Sequence, residues 1–238
     1  MRFWNFNQTD EGRVLYLDGY IAEESWLDDD VTPKVFKEEL EGDVGDITVF
    51  INSPGGDCFA ASRIYTMLKE YEGKVTVKID GIAASAASVI AMAGDEVLMS
   101  PTAMLMCHNP STIVWGEVLD MKRGIDVLSE VKESIINAYE LKTGLSRQKI
   151  STMMDKETWF SAGKALELGF CDEVLYTEEK GKEAVISGFL FDKMTVTNHF
   201  IGRLNQRKPP DKREVTKKTE QLAGIDVNQL AKRLELIK

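Results

Sequence analysis

The order of apolar and polar positions divides this chain into strands and helices before any motif is considered. Arg13 to Ile21 alternates apolar and polar side chains, the period of a half-buried strand, with a turn or bulge expected at Asp18-Gly19. Thr32 and Pro33 supply an N-cap and a first helical residue. Val35, Phe36 and Leu40 then share a face until Gly42. Asp46 to Ile51 is an apolar run of strand length, followed at once by Asn52-Ser53-Pro54-Gly55-Gly56-Asp57. Phe59 to Tyr71 has helical spacing, with Ile64, Met67 and Leu68 inward, and Val75 to Ile79 is the next strand. Gly81 to Met92 reads as the start of a buried helix built of small residues, with serines at 85 and 88.

Short apolar strands are expected at Glu96 to Met99 and Ala103 to Met106. Glu117 to Lys142 is the longest predicted helix: Val118, Met121, Ile125, Leu128, Val131, Ile135 and Ala138 form its apolar stripe, and Gly144 closes it. Ser146 to Met154 and Ala162 to Leu168 are further helices, and Glu173 to Tyr176 a last strand. Alternating strands and helices predict an α/β fold with a substantially parallel core.

The pattern fails at both ends. Residues 1–12 are polar and are expected to be a flexible segment, leaving 13–195 as the folded domain. Beyond that, Arg207-Lys208-Pro209-Pro210-Asp211-Lys212-Arg213 has the composition of a linker. Val227, Leu230, Leu234 and Ile237 line one face of a short final helix. Residues 196–238 are therefore expected to be a basic, proline-containing linker ending in that helix.

Composition narrows the function. The net charge of −10 disfavours a nucleic-acid partner for the chain as a whole. Three cysteines, Cys58, Cys107 and Cys171, at long spacings with two histidines make neither a zinc pattern nor a disulfide framework. No cofactor is expected, and a reducing cytoplasm fits. The N-terminus has no apolar signal core, and the weakly apolar run Ile82 to Ala93 is too short to span a bilayer.

The small-residue helix holds the candidate chemistry. A serine in its first turn would lie where free N–H groups favour developing negative charge. That suits an oxygen nucleophile, although Ser85 and Ser88 are equally compatible with packing roles. A base must take the hydroxyl proton. His108 leaves the end of a buried strand, and His199 lies near the tail boundary. His108 could equally be a core histidine satisfied by backbone. Asp155, Glu157 and Asp172 are candidates to orient it. The N–H groups of Gly55-Gly56 and of Ala86 could form an oxyanion hole, with an ordinary turn as the alternative for the glycines.

Read together, Ile51-Asn-Ser-Pro-Gly-Gly56, Gly81-Ile-Ala-Ala-Ser85, Met106-Cys-His108-Asn-Pro110 and Trp159-Phe-Ser-Ala-Gly-Lys-Ala-Leu-Glu-Leu-Gly169-Phe-Cys-Asp172 resemble the ClpP family of self-compartmentalised serine peptidases. The resemblance covers roughly Val14 to Tyr176. Asp57 after the glycines, the run from Ala83 to Met92 and Glu157-Thr-Trp-Phe-Ser-Ala162 look most like the ClpP-related head-maturation proteases of tailed phages and prophages.

The resemblance implies stacked β-β-α units of the ClpP/crotonase type, with the long helix as a protruding handle that interlocks facing rings. It implies Ser85 as nucleophile, His108 as general base and Glu157 as the acid, with Asp155 in reserve; housekeeping members carry Asp where Glu157 stands. The oxyanion hole maps to the N–H groups of Gly56 and Ala86. Asp57, Cys58 and Phe59 on one side, and Ser111, Thr112, Ile113, Val114 and Trp115 on the other, match the stretches that sandwich an extended substrate strand. Heptameric rings, single or stacked, are implied, with peptide or protein substrates such as capsid or scaffold proteins in a bacterial host cytoplasm. The residues before Val14 do not look like axial gating loops, which speaks against docking to an ATP-driven unfoldase. Competing expectations are a proteolytic subunit working with an ATPase, a crotonase-type acyl-CoA enzyme on the same fold, and a catalytically silent ring.

Overall fold

Strand β2 (Gly12–Ile21) carries the predicted irregularity: its pairing shifts register between Asp18 and Tyr20. The computed structural model describes residues 3–9, 12–22, 33–42 and 45–177. The Thr32 N-cap, the 195/196 boundary, His199 and the linker and helix expected after it lie outside the described residues.

β2 runs parallel to β3 (Ile47–Gly56), β3 to β4 (Val75–Ala84), β4 to β5 (Glu96–Met99), and β5 to the short β8 (Glu173–Val174). Alternation explains the core. Leu15, Leu17, Val49, Ile51, Val77 and Ile79 all face inward, each at most 1% exposed. Burying such a side chain contributes roughly 1.5–3 kcal/mol.

The expected flexible segment is corrected at the N-terminus. Trp4–Thr9 is a strand, β1, antiparallel to β2 with Trp4 opposite Leu17. Trp4 and Phe6 anchor it, both rings lying against Phe36. Trp4 is buried edge-on against Phe36 of α1 (Pro33–Glu41), with ring centroids 5.4 Å apart, and its indole N–H donates to Glu39 Oε2 at 2.9 Å. Asn5, Asn7, Gln8 and Thr9 are exposed, which is why the segment looks loose in sequence.

A second correction concerns Gly81 to Ala84, which continue β4 instead of opening a helix. β4 forks. Thr76–Ile79 pairs with β5, whereas Ile82, Ala83 and Ala84 pair in parallel with Met104, Leu105 and Met106 of β6 (Met104–Cys107). The helix that follows, α3, is only Ala86–Ala91. β6 also takes an antiparallel partner, β7 (Thr158–Ser161), a strand the hydrophobic pattern does not disclose. β3 likewise extends through Asn52-Ser53-Pro54-Gly55-Gly56 before α2 (Cys58–Lys69), so the ordinary turn weighed as the alternative for the glycines is not what forms there.

The long helix α4 spans Val118–Thr143 and ends at Gly144 in the left-handed region, φ 67°. Its apolar stripe is not a core stripe. Val118, Met121 and Ile125 are exposed, and burial begins only at Ile136, Ala138 and Tyr139. α5 (Arg147–Asp155), capped by the Ser146 side chain, and α6 (Ala162–Glu167) complete the fold around β7.

Candidate active site

Segments from distant parts of the chain meet where β4 and β6 end and β7 begins. Ser85 stands alone between β4 and α3, with φ 55° and ψ −125°. Non-glycine residues adopt such torsions only where the surroundings enforce them. Here the chain passes from strand to helix at a single residue. Its N–H donates to Met106 O at 3.0 Å, and its carbonyl accepts from Ser88 N at 3.0 Å. Gly55 lies against the turn: a Cβ added there would come 2.6 Å from Ala84 O, 2.8 Å from Ser85 Cβ and 2.9 Å from Ala86 N. Gly56 is tighter still, since a Cβ would sit 2.0 Å from Ile21 O.

His108 follows the last residue of β6, and its Nε2 lies 2.6 Å from Ser85 Oγ. The imidazole is half-buried. Burial lowers its pKa below the usual 6.5, and the neighbouring Glu157 charge opposes that shift. A neutral ring bonded to a serine hydroxyl is the state a general base requires.

The three candidate acids separate clearly. Glu157 immediately precedes β7, with φ 48°, and is the carboxylate whose charge acts on His108. Asp155 is engaged elsewhere: Lys132 Nζ lies 2.7 Å from its Oδ1, and Asn109 Nδ2 donates to the same oxygen at 2.9 Å. The bond from Lys132, then that from Asn109, holds its carboxyl below the usual carboxylate range. Asp172 Oδ2 accepts from Val97 N and Lys142 Nζ at 2.7 and 2.6 Å, tying β5 to the end of α4.

The two flanking stretches differ from each other. Asp57 caps α2, its Oδ1 accepting from Phe59 N at 2.9 Å and Ala60 N at 2.7 Å, while its own N–H goes to Ile21 O. Its carboxylate and N–H are thus engaged inside the fold, whereas Cys58 is partly exposed and the Phe59 side chain is 61% exposed. Ser111 to Trp115 lies outside helix and strand, with Ile113 and Trp115 almost fully exposed. Val114 is held against α4, where a Cβ on Gly124 would come 2.5 Å from its Cγ2. Ala86 is buried beside Ser85 as the first residue of α3, a position whose N–H has no intrahelical acceptor.

Ser53 escaped the sequence analysis as a site residue. It is fully buried, donates to Gly19 O at 2.5 Å and accepts from Gly55 N at 3.1 Å, tying the β2 bulge to the glycine end of β3. A serine two residues before the first glycine is the available signal, since Ser side chains commonly bond an N–H two positions on. Among the described residues no group of three or more His, Cys, Asp or Glu is placed to hold a metal ion, and no helix is long and apolar enough to cross a membrane.

Comparison with known proteins bears on the family and the fold. The family model described as Clp protease matches residues 6–178. The ATP-dependent Clp protease proteolytic subunit 2 of Thermobifida fusca is 34% identical over 155 residues, covering 63% of this chain and 76% of that protein. Proteolytic subunit 1 of Chlamydia muridarum is 32% identical over 171 residues, covering 70% and 88%. Among solved structures, a ClpP1 variant from Listeria monocytogenes superposes with a TM-score of 0.60 at 24% identity, covering 70% of this chain and 92% of the other. That likeness shows the fold.

Proposed function

Because this chain belongs to the Clp protease family, whose members are serine endopeptidases, we propose that it cleaves peptide bonds with Ser85 as nucleophile, His108 as general base and Glu157 as the acid that steadies the imidazolium. The observation that carries the assignment is the 2.6 Å contact between His108 Nε2 and Ser85 Oγ. As Ser85 Oγ attacks the substrate carbonyl, its proton passes to His108. The C–N bond then breaks, His108 gives that proton to the leaving amine, and water releases the acyl group by the reverse sequence. The Ala86 and Gly56 N–H groups stabilise the oxyanion, a role worth roughly 100- to 1000-fold per donor.

Asp57 serves this site by capping α2 directly after the glycine end of β3. Cys58, Phe59 and the open stretch Ser111 to Trp115 receive the substrate as an extended strand. The exposed Val118, Leu119 and Ile125 of α4 support self-association into rings through that helix.

Two readings of the biological substrate follow. The motif run from Ala83 to Met92 and the Glu157 triad favour a protease that trims capsid or scaffold proteins without ATP. The names of the relatives favour a proteolytic subunit of an ATP-dependent protease. Hydrolysis of a folded substrate that rises with a Clp-type ATPase and ATP supports the second; hydrolysis indifferent to both supports the first.

The catalytic assignment is tested by intact mass after fluorophosphonate treatment. One adduct on the wild type, and none on Ser85→Ala or His108→Ala, is expected. Labelling of Ser85→Ala to the wild-type extent overturns it.

A further inference from the structure

One buried polar pair is not used by the triad. Ser88 and Tyr139 are 0% and 1% exposed, and their hydroxyl oxygens lie 2.8 Å apart. Ser88 Oγ donates to the carbonyl of Ser85 at 2.6 Å. With the Ser88 proton on that carbonyl, the hydrogen between the hydroxyls is the tyrosine's. The direction is therefore Tyr139 O–H to Ser88 O–H to Ser85 C=O. Tyr139 comes from the buried end of α4 and is held edge-on by Phe170, ring centroids 5.6 Å apart. Such a chain, removed from water, stiffens as each bond polarises the next.

The bond's target matters more than its strength. The Ser85 carbonyl and the Ala86 N–H belong to one planar peptide unit and point in opposite directions across it. No peptide bond among the described residues is cis. Fixing the carbonyl therefore fixes the direction of the N–H. The preceding residue sits at φ 55°, a torsion that the unaided chain would leave.

Resting on the peptidase reading above, we propose that Tyr139 and Ser88 are positioning residues that aim the Ala86 N–H at the oxyanion. They touch no substrate and act through the Ser85–Ala86 peptide. Ser85 O retains backbone donors at Ser88 N and Val89 N, 3.0 and 3.4 Å away. Loss of either hydroxyl therefore loosens the peptide and leaves α3 folded.

The test compares wild type, Ser88→Ala, Tyr139→Phe and the double variant in peptide hydrolysis. It is paired with inhibition by a peptide aldehyde, which forms a tetrahedral adduct, and with binding of the matching product peptide. Ser88→Ala is expected to lower kcat about tenfold or more, and Tyr139→Phe in the same direction, with KM within about twofold. Aldehyde inhibition weakens by the same factor as kcat/KM, product binding is unchanged, and the double variant is no worse than Ser88→Ala. A residue that merely packs would move aldehyde and product binding together. An active wild type whose variants keep kcat, or lose product and aldehyde binding equally, overturns the relay alone. A wild type that neither hydrolyses peptide nor takes fluorophosphonate overturns the peptidase reading and the relay with it.

Discussion

Cys107 pairs with Thr158 across the antiparallel ladder of β6 and β7, and that register places Glu157 beside His108. Each functional residue stands one position beyond the paired one, His108 after Cys107 and Glu157 before Thr158. The imidazole and its carboxylate are thus aligned by backbone hydrogen bonding, which a single-residue slip would destroy.

Glu157 and Asp155 should respond to neutralisation in opposite ways. Glu157→Gln is expected to reduce kcat by about 1000-fold or more, because the imidazolium loses its counter-charge. Asp155→Asn should leave kcat within severalfold and Tm nearly unchanged, as its partner Lys132 sits at a largely exposed carboxylate. Steady-state kinetics with thermal melts checks both. A larger kcat loss in Asp155→Asn would exchange the two roles.

The acid limb of the kcat/KM profile should titrate below 6.5, since burial lowers the His108 pKa. Glu157→Gln removes the charge that opposes this shift and should move the limb to lower pH. Stability follows the same group. An imidazole with a lowered folded pKa binds fewer protons than in the unfolded chain. Its contribution is therefore intact above the unfolded pKa and is lost as pH falls through the folded one. Chemical denaturation from pH 7.5 down to 5 should show this fall, and His108→Ala should flatten it.

The two glycines should fail differently. Gly56→Ala puts a methyl onto the Ile21 carbonyl, with no flexible neighbour to yield, and is expected to abolish soluble folded protein. Gly55→Ala presses on Ala84 O, Ser85 Cβ and Ala86 N. It should fold with a lowered Tm and lose at least about 100-fold in kcat, since displacements near 1 Å at reacting groups are worth that much.

Trp4→Ala is expected to cost about 3 kcal/mol, read from denaturant midpoints, by emptying the space against Phe36. A change under about 0.5 kcal/mol would mean that β1 adds little to the domain.

Much of this fold is legible in the sequence because β3 and the first half of β4 alternate cleanly between buried and more exposed positions, and β2 does so over Leu15 to Asp18 before its bulge. Gly81 to Ala84 is not legible. Alanine and glycine carry no periodic signal, and the strand exists there because Met104 to Met106, far along the chain, pairs with it. β1 is hidden for another reason, since only Trp4 and Phe6 face the core and Asn5, Asn7, Gln8 and Thr9 are polar and exposed, too short an alternation to stand out. At the site, Ser85 and His108 stand out through motif resemblance, while their contact is a property of the folded sheet. Choosing between Asp155 and Glu157 needs the β6–β7 register, because both belong to one short acidic stretch. The outward-facing half of the α4 stripe shows the limit of periodicity, which tells that a face is apolar and not what covers it.

The thiols bring a practical return. Cys107 and Cys171 are buried, and desolvation pushes both up to about 12, so neither offers thiolate to a reagent at neutral pH. Cys58, part-exposed at the first turn of α2, is the remaining sulfhydryl. Burial, then the Asp57 charge, raises the Cys58 pKa as well, so maleimide labelling at this accessible thiol calls for mildly alkaline pH, and the label would sit two residues from Gly56. On the substrate path proposed above, a fluorophore or spin label placed there would report on peptide binding, with no engineered attachment point.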